Sequence, residues 1–205
     1  MFRLKIGIAI IGGVMIYLGF LEYRVSSGTS STPKSVELVD LEKGGELANR
    51  YISVGEHIAI YAGSVYSFRN STYSDEEEGP SGRVSYLYYP IIASQRIRGS
   101  DEDLDLSFFT VLVKTKRFET VGSIPETIAH EIGVEGLVIN RIASLKTEEK
   151  NLIRKAFPRI DTSKILILEE GRRPSPFFFW GGLIVGGVAL IVVGLGWLVA
   201  GLTSH

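Results

Sequence analysis

Two uncharged, strongly apolar stretches, one at each end of the chain, constrain its possible folds more than any other feature. The C-terminal stretch, residues 177–202, reads FFFWGGLIVGGVALIVVGLGWLVAGL and has no ionisable side chain. As a helix rising about 1.5 Å per residue it would be about 39 Å long, which exceeds the roughly 30 Å hydrocarbon core of a bilayer. Pro174 and Pro176 mark where the helix begins. The sequence therefore predicts a transmembrane helix and short tail over residues 174–205.

The N-terminal apolar stretch is shorter. Residues 6–21 read IGIAIIGGVMIYLGFL, with Arg3 and Lys5 before them and Glu22 after. A span needs roughly 17 to 25 residues, so the stem of Lys5 must extend this one. A cleaved signal peptide is the alternative, but the residues after Phe20 form a poor cleavage site. We interpret residues 1–23 as an uncleaved anchor, which makes the chain a two-pass integral membrane protein.

Small residues recur along both apolar stretches, and in lipid they let helix backbones approach closely. The first stretch offers Ala9, Gly12 and Gly13. In the second stretch, Gly182 and Gly186 form a GxxxG pair, and Gly196 and Ala200 form a small-xxx-small pair. Gly187, Gly194 and Gly201 recur every seven residues along one stripe. These residues predict helix packing, either between the two spans or between copies, although glycine is frequent in membrane helices generally.

The charges that flank the two spans give conflicting signals about sidedness. Arg3 and Lys5 favour a cytoplasmic N-terminus, and the first helix usually dominates orientation. Arg172 and Arg173, just before the second span, favour the opposite arrangement. Because long domains translocate largely regardless of charge, the balance favours an extracytoplasmic domain over a cytoplasmic one.

Composition excludes several classes of function. The chain carries 22 basic and 23 acidic residues, a formal net charge of -1, so bulk electrostatics give it no attraction for nucleic acid. Cysteine is absent, which excludes disulfides, thiolate metal sites and a cysteine nucleophile.

Between the spans, residues 24–34 form a polar linker and residues 35–173 a domain dominated by strands. Alternating apolar and polar residues predict strands around 36–38, 51–68, 83–89 and 108–115, with Pro90 either ending a strand or lying on a sheet edge. Two acidic segments, 70–82 and 99–105, are predicted loops.

The second half of the domain predicts a mixture of helix and strand. We expect a helical turn over 125–131, a strand over 133–142, a helix capped by Thr147 and ended by Pro158, and a strand over 164–169. The final strand, helix and strand would lie parallel in one sheet. The predicted fold class is α+β, a strand-dominated soluble domain with a partly closed barrel as one form, flanked by two transmembrane α-helices.

No motif predicts a metal site or a cofactor. His130 and Glu131 resemble half of a zinc-binding HExxH motif, but Val134 stands where the second histidine belongs. Asp101, Asp103 and Asp105 have calcium-loop spacing without the required glycine or distal glutamate, and the acidic run 75–78 is typical of a solvated face. Neither a GxSxG elbow nor a phosphate-binding loop is present.

The strand region is rich in tyrosine, and Tyr86, Tyr88 and Tyr89 are candidate partner contacts, although ordinary packing of strand faces is the stronger explanation. The sequon at Asn70 matters only for an extracytoplasmic domain.

We predict a non-enzymatic interaction or assembly module at the bilayer surface, with a membrane protein or a second copy of the chain as partner. A membrane-bound hydrolase using acidic residues is the alternative, and a pore subunit is disfavoured because the spans lack ionisable residues.

Overall fold

The computed structural model describes residues 2–43, 47, 49–68, 82–96, 109–141, 145–161 and 163–203. These residues form two compact units, Met1–Ser31 with Pro174–His205 and Thr32–Arg173. The elements in chain order are α1 (Phe2–Ser26), β1 (Lys34–Val36), α2 (Leu38–Glu42), β2 (Tyr51–Ile60), β3 (Val65–Phe68), β4 (Val84–Ala93), β5 (Val111–Thr115), β6 (Ile128–Arg141), α3 (Thr147–Ala156), β7 (Leu166–Glu170) and α4 (Phe177–Thr203).

The first unit is a pair of antiparallel helices, α1 and α4, held together at glycines. A Cβ atom added at Gly12 would lie 2.5 Å from the backbone oxygen of Gly187, and one added at Gly187 would lie 2.6 Å from that of Gly12. One helical segment in each, Ile6–Ser26 and Phe177–Trp197, is long and apolar enough to cross a membrane. Such close backbone approach is what small residues permit between helices in lipid.

Aromatic and polar contacts join the same two helices near Glu22. The rings of Tyr23 and Trp180 meet edge to face at 5.0 Å between centroids. The Ser175 hydroxyl donates to Glu22 Oε1 at 2.7 Å, and the Ser175 backbone N–H donates to the Ser26 hydroxyl at 3.0 Å. These bonds give the polar groups partners where the apolar stretches end.

The glycines predicted to pack differ in their surroundings. Gly187 and Gly194 are buried, and a Cβ atom at Gly186 would lie 3.2 Å from Met15 Cε. Gly182 and Gly196 are exposed, and a Cβ atom at either would have no described atom within 4 Å. The surroundings of Ala200 and Gly201 lie outside the described residues. Gly19, which the sequence did not single out, packs closely against Ile184 and Trp180.

The second unit is a closed five-stranded barrel, which confirms the predicted α+β class. The barrel strands follow the order β2, β6, β7, β5, β4, and the ring closes because β4 also pairs with β2. Neighbouring strands run antiparallel except β5 and β7, which run parallel. Five-stranded barrels include folds that bind quite different ligands, so the architecture alone assigns no function.

The strand faces separate two apolar clusters. One draws on all five barrel strands and on Leu38 and Leu41 of α2, and it fills the barrel interior. The other lies outside the barrel, where Ile153 and Phe157 of α3 cover a face that includes Ile58, Leu112 and Ile167. Alternation sends successive side chains to these two clusters, and in β2 the interior residues change from even positions, 52 and 54, to the odd position 59 after Gly55.

Several details of the predicted strands were wrong. Leu38 begins a helix, α2, and does not continue the strand that precedes it. β4 continues three residues past Pro90 and is not an edge strand there. Pro90 lies between the stretch that pairs with β3, up to Tyr88, and the stretch that pairs with β2, from Ile91. A residue without an N–H fits where a strand changes partner.

The second half of the domain also differs from the prediction. Ile128–Arg141 is one strand, so the helical turn expected over 125–131 is wrong. Helix α3 begins at Thr147, but its N-cap is Lys146, so the predicted capping by Thr147 is wrong. Its first turn is closed by Glu149 Oε2, which accepts the Lys146 backbone N–H at 3.0 Å. β6 and β7 run antiparallel, so the predicted parallel pairing of these two strands is wrong. The parallel neighbour of β7 is β5. The acidic segments 70–81 and 99–105, with Asn70, lie outside the described residues.

The glycine contact gives a test of helix pairing. Gly187→Val should separate α1 from α4, because the added side chain would overlap the backbone of Gly12. Gly182→Val, on an exposed face of the same helix, is the matched control. In the cysteine-free chain, Tyr23→Cys with Trp180→Cys reports pairing through a short bis-maleimide. We expect the cross-linked fraction to fall several-fold with Gly187→Val and to stay unchanged with Gly182→Val; equal yields would contradict the packing described.

Candidate functional site

The domain contains a buried group of polar side chains that extends from the barrel interior to its surface. We call it the Arg117 cluster, and its members are His57, Tyr61, Tyr89, Arg117, Glu131 and Glu170. Tyr61 and Tyr89 belong to the apolar cluster that fills the barrel, whereas the Arg117 side chain is 43% exposed. Burying an ionisable group without a partner costs free energy, and groups of this kind concentrate at functional sites, so this cluster is the candidate site.

Strand register brings these residues together from five parts of the barrel. His57 on β2 lies directly opposite Glu131 on β6. Tyr61 follows the end of β2, and Glu170 ends β7. Arg117 follows β5 in a turn that is fixed by its backbone N–H, which donates to Thr115 Oγ1 at 2.9 Å. The cluster therefore depends on barrel closure and cannot form from any single hairpin.

Glu131 is the centre of the cluster. Its Oε1 accepts the Tyr61 hydroxyl at 2.6 Å and Arg117 Nη2 at 2.9 Å, and Arg117 also donates to the Tyr61 oxygen. The other guanidinium nitrogen of Arg117 lies 3.7 Å from Glu170 Oε1. One cation therefore faces two carboxylates.

Aromatic rings enclose the guanidinium. Arg117 lies 4.9 Å from the ring centre of Phe118, within cation–π range. Phe118 packs edge to face against Tyr61, and Tyr61 packs against Tyr89 with ring centres 4.7 Å apart. The rings exclude water from one side of the ion pairs, which strengthens them.

Three polar atoms of the cluster are buried without a hydrogen-bond partner among the described residues: His57 Nε2, the Tyr89 hydroxyl oxygen and Glu170 Oε2. The Nδ1 atom of His57, in contrast, lies 2.9 Å from the Gly55 carbonyl oxygen. Buried polar groups are nearly always satisfied, so each exception needs a physical explanation.

The charge states of the cluster follow from these contacts. Burial would raise the pKa of Glu131, but hydrogen bonds from Tyr61 and Arg117 outweigh it and lower that pKa below its ordinary value. Burial, followed by the bond to Glu131, raises the pKa of Tyr61. Burial and the charge of Glu170 raise the pKa of Tyr89. At neutral pH the cluster therefore contains ionised Glu131 and neutral phenols.

A second polar group anchors helix α3 to the outside of the barrel. Glu149 Oε1 accepts the Tyr88 hydroxyl at 3.0 Å and Lys114 Nζ at 2.8 Å, and Lys114 lies 4.7 Å from the ring centre of Tyr86. Burial would raise the pKa of Glu149, but the bonds from Lys114 and Lys146 outweigh it and lower that pKa. This group explains how a charged side chain that is 5% exposed is tolerated in α3.

The structure separates the side chains that the sequence placed together. His130 is exposed on β6, a strand and not a helix, while Glu131 next to it points to the Arg117 cluster. Tyr88 and Tyr89 are fully buried, so of the three candidate contact tyrosines only Tyr86 keeps exposed surface. Among the described residues, no three His, Asp or Glu side chains are arranged to hold a metal ion. Asp101, Asp103 and Asp105 lie outside the described residues.

An open groove borders the cluster at Glu170. It has a volume of about 350 Å³ and mixes cationic and anionic side chains, its lining being Lys114, Lys116, Glu169, Glu170, Gly171 and Arg172. A groove with both signs of charge suits a polar partner better than an apolar ligand.

Comparison with known proteins adds no constraint: the chain matches no protein-family model, no curated protein and no solved structure. Function must therefore be argued from the residues themselves.

The two tyrosines of the cluster make a matched pair for a stability test. Tyr61→Phe removes a hydrogen bond to a partly buried carboxylate and should lower the free energy of unfolding by about 1 to 2 kcal/mol. Tyr89→Phe removes a hydroxyl that has no described hydrogen bond to a carboxylate and should change stability by less than about 0.5 kcal/mol. Chemical denaturation at pH 7 measures both; a larger loss for Tyr89→Phe would mean that its hydroxyl is satisfied by a bound water or ligand.

Proposed function

We propose that this protein is a two-pass integral membrane protein whose helices hold the barrel domain at the bilayer surface, where it serves as a non-enzymatic interaction or assembly module. One observation carries the membrane part of this proposal. Among the described residues, every large, exposed apolar side chain except Ile132 lies in α1 or α4. Surfaces of this extent and composition are stable in lipid and are rare on proteins dissolved in water.

The exposed faces of α4 support the assembly part. Gly187 and Gly194 are buried in the unit that α4 forms with α1. Gly182, Ala189 and Gly196 lie on an exposed face at intervals of seven residues. A helix that has one small-residue face engaged and a second one open is suited to pair again, with a second copy or with another membrane protein.

The anchoring itself favours a role in assembly. Helices at both ends of the domain restrict its movement to a layer near the bilayer, which raises its effective concentration for neighbouring membrane proteins. The positive charges of Arg3 and Lys5 support a cytoplasmic N-terminus and an extracytoplasmic domain.

A hydrolase is the weaker proposal. General acid catalysis by a carboxyl group needs a raised pKa, so that the group holds a proton near neutral pH. The pKa values of Glu131 and Glu149 are both lowered, because each carboxylate accepts bonds from a cation and a tyrosine. The same bonds suit a rigid binding domain, and this supports the interaction module.

Membrane integration and sidedness can be tested in one cysteine-free background. Lys155→Cys places a thiol on the exposed last turn of α3, and Phe2→Cys places one at the start of α1. We expect the protein to stay in the pellet after alkaline carbonate extraction. A membrane-impermeant maleimide should label Lys155→Cys on intact cells, and Phe2→Cys only after permeabilisation. Recovery in the supernatant without detergent would refute the anchors, and the reverse labelling would refute only the sidedness.

Assembly can be tested on the open face of α4. Light scattering coupled to size exclusion in mild detergent should give a protein mass above the 22.6 kDa of one chain. The double change Gly182→Leu with Gly196→Leu should reduce that mass to that of one chain, because bulky side chains keep helix backbones apart. Val185→Leu, also exposed on α4, is the control and should leave the mass unchanged. A wild-type protein that is strictly monomeric and carries no partner would contradict assembly.

A further inference from the structure

The environment of His57 points to a site that the proposed function does not use. The imidazole is fully buried, with a side-chain exposure of 0%. Its Nδ1 lies 2.9 Å from the Gly55 carbonyl oxygen, which can only accept a hydrogen bond. The Nδ1 atom therefore carries the proton, and in the neutral ring Nε2 presents a lone pair.

That lone pair faces a carboxylate. His57 Nε2 lies 3.9 Å from Glu131 Oε2 and has no hydrogen-bond partner among the described residues. Two acceptors thus face each other across the β2–β6 pair with no donor between them. A single proton on Nε2 would convert the contact into a charge-assisted hydrogen bond. The 3.9 Å gap can close by rotation of the terminal Glu131 torsion, which has a broad energy minimum.

Burial of the imidazole opposes that proton, whereas the charges around His57 favour it. Arg117 supplies one positive charge against the two negative charges of Glu131 and Glu170. On the other side of β2, His57 pairs with Ala93, whose backbone N–H donates to Glu42 of α2 at 3.3 Å. Tyr61 and Tyr89 contribute neutral hydroxyls. The cluster therefore carries one net negative charge, and protonation of His57 would neutralise it.

We propose that His57 and Glu131 form a proton-binding latch. Acidification places a proton on His57 Nε2, and the new hydrogen bond to Glu131 joins β2 to β6. The same bond alters the ion pair between Glu131 and Arg117. The signal reaches the surface because Oε1 of the same carboxylate binds Arg117, whose side chain is 43% exposed. The latch requires neither the membrane anchors nor a partner, so it stands apart from the proposed function.

The sign of its effect on stability is fixed by the mechanism. A histidine whose charged form gains a partner on folding adds stability at low pH, and that stability is lost as the pH rises through its folded titration. Glu131 must stay ionised for the latch to form. Its pKa is lowered by the bonds from Tyr61 and Arg117, although burial opposes them, so Glu131 is still ionised at pH 5.

The test compares unfolding at pH 5 and pH 8 for the full chain in mild detergent. His57→Asn keeps an amide donor near the position of Nδ1 and removes Nε2; His130→Asn, on the exposed neighbouring histidine, is the matched control. At each pH, the unfolding equilibrium constant of His57→Asn is divided by that of the wild type. This ratio should be about tenfold larger at pH 5 than at pH 8. His130→Asn should give the same ratio at both pH values.

Glu131→Gln identifies the partner. In that background the pH dependence of the His57→Asn effect should disappear. A His57→Asn effect that is equal at both pH values, smaller at pH 5, or unchanged by Glu131→Gln would overturn the latch.

Imidazole ¹⁵N resonances of the wild-type protein provide a second readout if His57→Asn fails to fold. The chain has three histidines, so His130→Asn and His205→Asn assign the remaining signal to His57. Nε2 of His57 should gain a proton between pH 8 and pH 5 while the barrel stays folded. An Nε2 that stays unprotonated until the domain unfolds would equally overturn the proposal.

Discussion

The pairing of β2 with β6 is the constraint on which the rest of the domain depends. The two strands are in register from Tyr51 opposite Leu137 to Ile60 opposite Ile128. The other edge of β2 is divided, since its first half pairs with β1 and its second half with β4. This change of partner closes the sheet into a barrel, and closure removes the open edges at which sheets aggregate.

Barrel closure also explains how the interior tolerates charge. Glu131 lies on β6 and takes its partners from the end of β2 and from the turn after β5, elements that are adjacent only in the closed ring. An ion pair of this kind adds little net stability relative to apolar packing, yet removing one member leaves a buried charge without a partner. Loss of any one member of the cluster should therefore cost more stability than the intact cluster adds.

The sequence predicted the elements of this structure better than their arrangement. Lipid-length apolar stretches and period-two strands are local signals, and they identified α1, α4 and most of the strands. Leu38 and residues 125–131 were assigned to the wrong element, because short amphipathic segments carry too few residues to distinguish helix from strand. The antiparallel pairing of β6 with β7 was missed, since it is decided by β5, a strand distant in the sequence.

The Arg117 cluster was beyond reach for the same reason. His57 and Glu131 are separated by 74 positions and meet only through strand register. One local signal was present: His57 stands among strand residues whose neighbours Val54 and Ile58 are apolar and buried. The sequence instead grouped His130 with Glu131 by adjacency, although neighbours along a strand point to opposite faces.

The two units of the chain place their large apolar side chains differently. In α1 and α4 many large apolar residues face outward, and the positions of closest approach belong to glycine, because a residue without a side chain lets the two backbones meet. In the barrel unit most large apolar residues are buried, either in the barrel interior or beneath α3, and several of the buried polar side chains bond to one another. The proposed proton latch at His57 therefore belongs to the barrel unit, whereas α1 and α4 carry no Asp, Glu, Lys, Arg or His between residues 6 and 21 or 177 and 202.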